Sequence, residues 1–201
     1  MDKTSICNLA LGHLGSKRIE NITESTAEAE VCNEFFDHAR DSMLRLRDWN
    51  FARGRQKLPE VTAPAFGFGK AFGLPADFVA ARAVNGKEAG TPGATFEIVG
   101  REIHTDLDSV ELKYTRREGN TQIWDPVFVD VFSYELAALI APSLLQEPQV
   151  AATMRQLGDA LLKSRAAPAD VQESQPKAIR ANANTARSIR SRTGYPDSYP
   201  S

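Results

Sequence analysis

The chain of 201 residues is short of cysteine, of histidine and of net charge, and each shortage removes a class of function. Only Cys7 and Cys32 occur, which excludes a disulfide-stapled secreted scaffold and a four-cysteine zinc module. The three histidines, His13, His38 and His104, form no HxxxH or HExxH pair. The sequence therefore supports no zinc site and implies no cofactor. Basic residues number 24 and acidic ones 26, a net charge of -2. That balance argues against a globally basic nucleic-acid binder and against a strongly acidic disordered chain. No apolar run approaches about 18 residues and the N-terminus lacks a signal-peptide layout, so the expectation is a soluble intracellular protein with no membrane segment.

Catalytic signatures are scarce too. No GxSxG occurs, and so few histidines leave little material for a Ser-His-Asp triad. Gly67-Phe68-Gly69-Lys70 lacks the four-residue spacer and the trailing Ser or Thr of a phosphate loop. Asp106 and Asp108 are close enough in sequence for acid–base work, but in so acidic a chain they read as a solvated loop. Cys7 and Cys32 read as small buried residues and His13 and His38 as surface or boundary residues. The expectation is that the chain is not an enzyme.

What is present is material for a core: 42% of residues are apolar, ample for one domain or one domain with an insertion. Ile6, Leu9, Ala10 and Leu14 mark a first helix that starts at Asp2 or Thr4 and stops at Gly15. Ser25-Thr26-Ala27-Glu28 reads as a capping box opening a helix over about 25–47. Ala27, Val31, Phe35, Ala39 and Met43 recur every fourth residue there, with Cys32, Phe36 and Leu46 widening the stripe. Acids at its start and arginines at its end suit the helix dipole.

After Trp49 the period changes. Glycines and prolines divide the chain, and strand-like runs cover Phe51–Leu58, Phe78–Val84, Thr95–Val99, Glu102–Thr105 and Val110–Arg116, with a hairpin turning at Gly100-Arg101. This is a meander, not alternating strand–helix units. Asp125-Pro126 opens a third helix with Val127, Phe128, Val131, Phe132, Tyr134, Ala138 and Leu139 on a broad apolar face. Pro142 is expected to kink or end it. Pro148 starts a fourth, carrying Val150, Met154, Leu157, Leu161 and Leu162. Trp49 and Trp124 are expected where helix meets sheet, as core anchors joining the two parts. The fold class is thus α+β: a helical domain from the N- and C-terminal helices (1–50 and 124–165), an inserted antiparallel β-rich domain (51–123) and a flexible C-terminal arm (166–201).

The arm holds five basic and three acidic residues, net +2, which leaves the body at -4. It is rich in Ala, Pro, Ser and Asn and has too little apolar surface to offset its ordering entropy alone. Fully extended at about 3.3 Å per residue it reaches on the order of 120 Å, enough to grip a neighbouring subunit. Arg180, Arg187, Arg190 and Arg192 carry charge suited to phosphates, which makes a DNA-binding module using the basic tail the alternative reading. Without interleaved aromatics before Tyr195, a stacking platform for single strands is not indicated.

One resemblance runs through the body. Ile6-Cys7-Asn8-Leu9-Ala10-Leu11-Gly12-His13-Leu14-Gly15 with Arg18-Ile19 resembles the first helix of phage head-to-tail adaptor (connector) proteins of the tail tubular protein A type. Phe36-Asp37-His38-Ala39-Arg40-Asp41, Asp48-Trp49-Asn50-Phe51-Ala52, Leu74-Pro75-Ala76-Asp77-Phe78 and Trp124-Asp125-Pro126-Val127-Phe128 extend it, in order, over about residues 6–165. The resemblance implies a structural virion protein: a homo-oligomeric ring, a dodecamer in that family, seated under the portal protein. Such a ring links capsid to tail, leaves an axial channel for DNA ejection and meets a downstream nozzle or tube protein. It is made in the host cytoplasm and acts at the head–tail interface. It binds no membrane, and genome DNA passes without sequence-specific binding, for which an acidic wall is suited. By the same resemblance the arm docks on the portal, with Arg180, Arg187, Arg190, Arg192, Tyr195 and Tyr199 as the contact residues, residue types enriched at interface hot spots.

Overall fold

In the computed structural model, residues 1–64, 66–89, 95–145 and 147–166 are described. Helix α1 (Lys3–His13) starts where the Asp2 carboxylate accepts the Ser5 N–H at 2.7 Å. It ends in a Schellman arrangement: Gly15 sits at φ 67°, its N–H on Gly12 and the Ser16 N–H on the Leu11 carbonyl. The buried face is Ile6, Cys7, Ala10 and Leu11. Leu9, expected within that stripe, lies about 200° round the helix from Cys7 and is exposed.

Helix α2 (Ala27–Leu46) begins one residue later than the expected capping box. Thr26, not Ser25, is the cap and accepts the Ala29 N–H. The reason lies in the preceding loop: Glu24 accepts the Thr26 hydroxyl and the Glu20 and Asn21 N–H groups, so the chain winds on Glu24 before the helix starts. Ala29, Cys32, Phe36, Ala39, Met43 and Leu44 face the core. Val31 and Phe35 flank that face half-buried, while Ala27 and Leu46 are exposed.

Helix α3 (Pro126–Leu145) is capped by Asp125, whose carboxylate accepts the Val127 and Phe128 N–H groups. Of the two outcomes expected at Pro142, a kink or an end, the helix does not end there but continues to Leu145. In the last turn the missing N–H forfeits a single hydrogen bond, and the buried Ala138, Ile140 and Ala141 hold the turn in place. By length and composition α3 is also long and apolar enough to cross a membrane, although Asp130 and Glu135 interrupt its apolar run. Here it is the central core helix, and most of that stretch is buried against its neighbours. Helix α4 (Pro148–Leu161) lies along α3 and runs into a π-helical turn, Leu162–Ala166. Gly158 permits the approach: a Cβ there would stand 3.2 Å from Cβ of Tyr134. Leu157, expected on the buried face, is exposed.

Between α2 and α3 the chain forms two four-stranded antiparallel sheets. The first has the order β1 (Arg53–Lys57), β8 (Glu111–Arg116), β4 (Phe78–Val84) and β5 (Lys87–Glu88). The second has the order β2 (Glu60–Val61), β3 (Lys70–Gly73), β7 (Glu102–Thr105) and β6 (Phe96–Val99). The β6–β7 hairpin turns at Gly100-Arg101 as read from the sequence. The β4–β5 hairpin turns at Asn85-Gly86, both at positive φ, a type I′ turn. Leu58, Val84, Val110, Leu112 and Tyr114 meet Phe72 and Ile103 in a core between the sheets. A second, larger core joins α1, α2 and α3. The described residues are thus mixed α+β, with four α-helices and antiparallel sheets.

Candidate functional site

The six residues expected to contact a portal, Arg180, Arg187, Arg190, Arg192, Tyr195 and Tyr199, lie outside the described residues. The same is true of nearly all of the arm. The described part offers three places where chemistry or recognition could be built: a histidine–serine contact, the junction between helices and sheets, and an outward sheet face.

His13 Nε2 lies 2.9 Å from the Ser133 hydroxyl, and its ring stacks on Tyr134 at 4.0 Å between centroids. Ser133 is buried, and its hydroxyl proton is directed at the Asp130 carbonyl, 2.7 Å away. When the hydroxyl donates to that carbonyl, Nε2 in its protonated tautomer donates to the serine oxygen. A nucleophile needs the reverse, an unprotonated nitrogen accepting from the hydroxyl. Burial lowers the His13 pKa, against a smaller upward pull from Asp130. The contact fastens α1 to α3.

The other reactive residue types are also placed in structural roles. Cys7 and Cys32 are both buried and unbridged. A hydrogen bond to Cys32 and burial push the Cys7 thiol up, away from the reactive thiolate. His38 is exposed, and His104 stands 3.1 Å from a Glu102 carboxylate oxygen. Among the described residues no group of three or more His, Cys, Asp or Glu is arranged to hold a metal ion. In the Gly67–Lys70 segment the Gly69 N–H donates to Asp106 and Lys70 pairs with Asp108 at 2.8 Å. Carboxylates of the chain itself thus take the donors that a phosphate would need.

The junction is the most elaborated region. Phe36 of α2, Trp49 and Phe51 of the connection, and Trp124, Phe128 and Phe132 around the start of α3 form one continuous set of aromatic contacts, with centroids 4.9 to 6.3 Å apart. Trp49 and Trp124 are buried, and their indole N–H groups reach the Met43 and Glu118 carbonyls. Both anchor the helical core. Val79 of β4 packs into that same core, and polar groups add to the joint between helices and sheet. The Arg82 guanidinium on β4 donates to the Leu44, Arg45 and Arg47 carbonyls, closing the C-terminus of α2, and to the fully buried Thr115 hydroxyl at 2.7 Å. Arg45 reaches back to the Val79 carbonyl. Asp48 bridges Arg53 of β1 and Lys113 of β8 at 3.0 and 2.7 Å. Burial pushes the Asp48 carboxyl up, but hydrogen bonds from those two cations outweigh it and lower its pKa. Arg117 pairs with Asp41 of α2, which also faces the buried Arg40.

No protein-family model matches the chain, and no curated protein matches it.

Sequence reasoning passed over Arg82 because its partners lie some 35 residues away and are carbonyls that any sequence would supply. It also passed over the outward face of the first sheet. Leu112 and Tyr114 point into the core, so their cross-strand partners Gln56 and Gly54 share that side. The alternate residues Arg55, Lys57, Glu111 and Lys113 face the other way, and with Gln56, Ala83, Gly86, Glu88 and Leu112 they line a concavity of about 830 Å³. The alternation of Arg53, Arg55 and Lys57 was the available signal.

Proposed function

We propose that the chain is a structural subunit without catalysis, a head-to-tail adaptor that forms a ring under the portal of a phage and links capsid to tail around an axial DNA channel. The observation that carries this reading is the convergence of the adaptor-like segments. Phe36, Trp49, Phe51, Trp124 and Phe128 come from three separate stretches of the resemblance and meet in one aromatic cluster at the helix–sheet junction. Segments that belong to one fold signature should converge; unrelated coincidences need not. The Gly69 and Lys70 donors, taken by Asp106 and Asp108, support a reading without a phosphate loop.

In this reading residues 1–50 and 124–165 are a discontinuous helical domain, 51–123 an inserted β domain, and 166–201 an arm that orders on the portal. Arg180, Arg187, Arg190, Arg192, Tyr195 and Tyr199 make the portal contact. A body of net charge -4 lets phosphates pass rather than holding them. The test is electron microscopy of the protein mixed with its portal. A ring below the portal is expected, lost on deletion of 166–201 while the body stays folded. Docking by the truncated chain would remove the arm from the account.

A further inference from the structure

The charge of the folded body is segregated along α2. From Ile19 to Ala39 the sequence holds six carboxylates and no Lys or Arg. From Arg45 to Lys57 it holds five cations and one carboxylate, Asp48, a net +4. α2 has 20 residues and so is about 30 Å long, with the two poles toward its opposite ends.

Most cations of the second pole and two of the six carboxylates of the first are already engaged. Glu24 holds the loop before α2, and Asp37 pairs with Arg40. Arg45 and Arg47 donate to carbonyls, and Arg53 and Lys113 share Asp48. Unengaged among the described residues are Arg55 and Lys57 on the cationic side and, on the acidic side, Glu20 in the loop, the half-buried Glu28, and Glu30 and Glu34. Glu30 and Glu34 are exposed on one face of α2 with no hydrogen bond or ion pair to any described residue. Arg55 and Lys57 are in the same position on the outward face of β1. The two pairs have matching repeats. One helical turn separates Glu30 from Glu34 by a rise of about 6 Å, and alternate strand residues such as Arg55 and Lys57 stand about 6.7 Å apart. Lys113 lies opposite Arg55 and reinforces the cationic row, while Glu111 lies opposite Lys57.

We infer that the outward face of β1 is the docking surface for a second copy of this chain, whose Glu30 and Glu34 lie along Arg55 and Lys57. Each copy uses a different patch, so the contact is heterologous and propagates from subunit to subunit until a ring closes. This deepens the ring proposed above and rests on it. A nucleic-acid phosphate row would also suit the cations, but complementary carboxylates at the matching repeat are carried by the chain itself.

Charge reversal in the full-length protein tests the pairing, read by sedimentation velocity and by imaging of portal-bound protein. Glu34→Lys and Arg55→Glu alter exposed side chains, and an unchanged thermal midpoint checks that each variant folds. Each reversal alone weakens self-association by about tenfold or more. An equal mixture of the two variants restores it, because reversed carboxylate and reversed cation then face each other. Added salt weakens the unsubstituted contact. Reversals that leave the assembly intact overturn this interface and leave the ring standing. A chain that forms no ring even on the portal overturns the ring and the interface together. Weakening without rescue in the mixture overturns the pairing. If Arg55→Glu abolishes binding to duplex DNA and spares self-association, the face belongs to phosphodiesters and the inference fails.

Discussion

Removing the Arg82 guanidinium should loosen the joint between helices and sheets more than any other single polar change. In Arg82→Met the aliphatic stem remains but four hydrogen bonds go: those to the Leu44, Arg45 and Arg47 carbonyls and the one to Thr115 Oγ1. A hydrogen bond to a charged group is worth about 1.5–3 kcal/mol. The four share one group, so they do not add, and the partly solvated end of α2 recovers some of the loss through water. Thr115 recovers nothing, because it is fully buried and left without its donor. Together these place the cost at about 3–4 kcal/mol, in the range for stripping one partner from a buried charged network. For a domain of this size that lowers Tm by about 6–16 °C. Chemical denaturation monitored by circular dichroism measures it. A double-mutant cycle with Thr115→Val isolates the buried term: the second change should cost about 1 kcal/mol or more with Arg82 present and close to nothing once Arg82 is gone. A loss below about 0.5 kcal/mol in Arg82→Met, or strict additivity in the cycle, would show that the joint is held by apolar packing alone.

Three further outcomes follow from the same structure. Gly54→Ala places a Cβ 2.5 Å from the Tyr114 ring, so it should destabilise by about 1–3 kcal/mol in the same denaturation assay. Asp48 has a pKa below its usual 3.8, so its pairing contributes stability that is complete above that value and is lost as pH falls through the lowered one. The stability of wild type relative to Asp48→Asn should therefore shrink only in acid below about pH 4. His13 has a pKa lowered by burial from 6.5, so its contribution is complete above pH 6.5 and falls as acid forces a proton onto it, which an NMR titration of its ring resonances would follow.

The sequence was most legible where a local chemical rule acts over a few residues. Asp125-Pro126 marks the start of α3 and Gly100-Arg101 the β6–β7 turn because cap and turn are determined by the residues that form them. The start of α2 slipped by one residue because Glu24, outside the local motif, rewired the loop. β2, β3 and β5 were not read at all. The two-residue β2 and β5 are too short to display a period, and β3 follows a glycine-rich segment that resembles a loop. Their existence depends on partners such as β7, which lies about 30 residues downstream of β3. Asn85-Gly86 is the one local signal for β5, because both residues take the positive φ of a tight hairpin turn. Pro142 left the end of α3 open in the sequence, and tertiary packing carries the helix past it to Leu145. The charge poles were concealed by a near-zero sum, and only the placement of Arg55 and Lys57 on an outward face gives them meaning.

The central claim, that this chain closes into a ring beneath a portal, is tested most directly by electron microscopy of the full-length protein with its portal. The account predicts a ring of added density coaxial with the portal and pierced by an open channel. Portals that stay bare, with the protein remaining monomeric beside them, would contradict it.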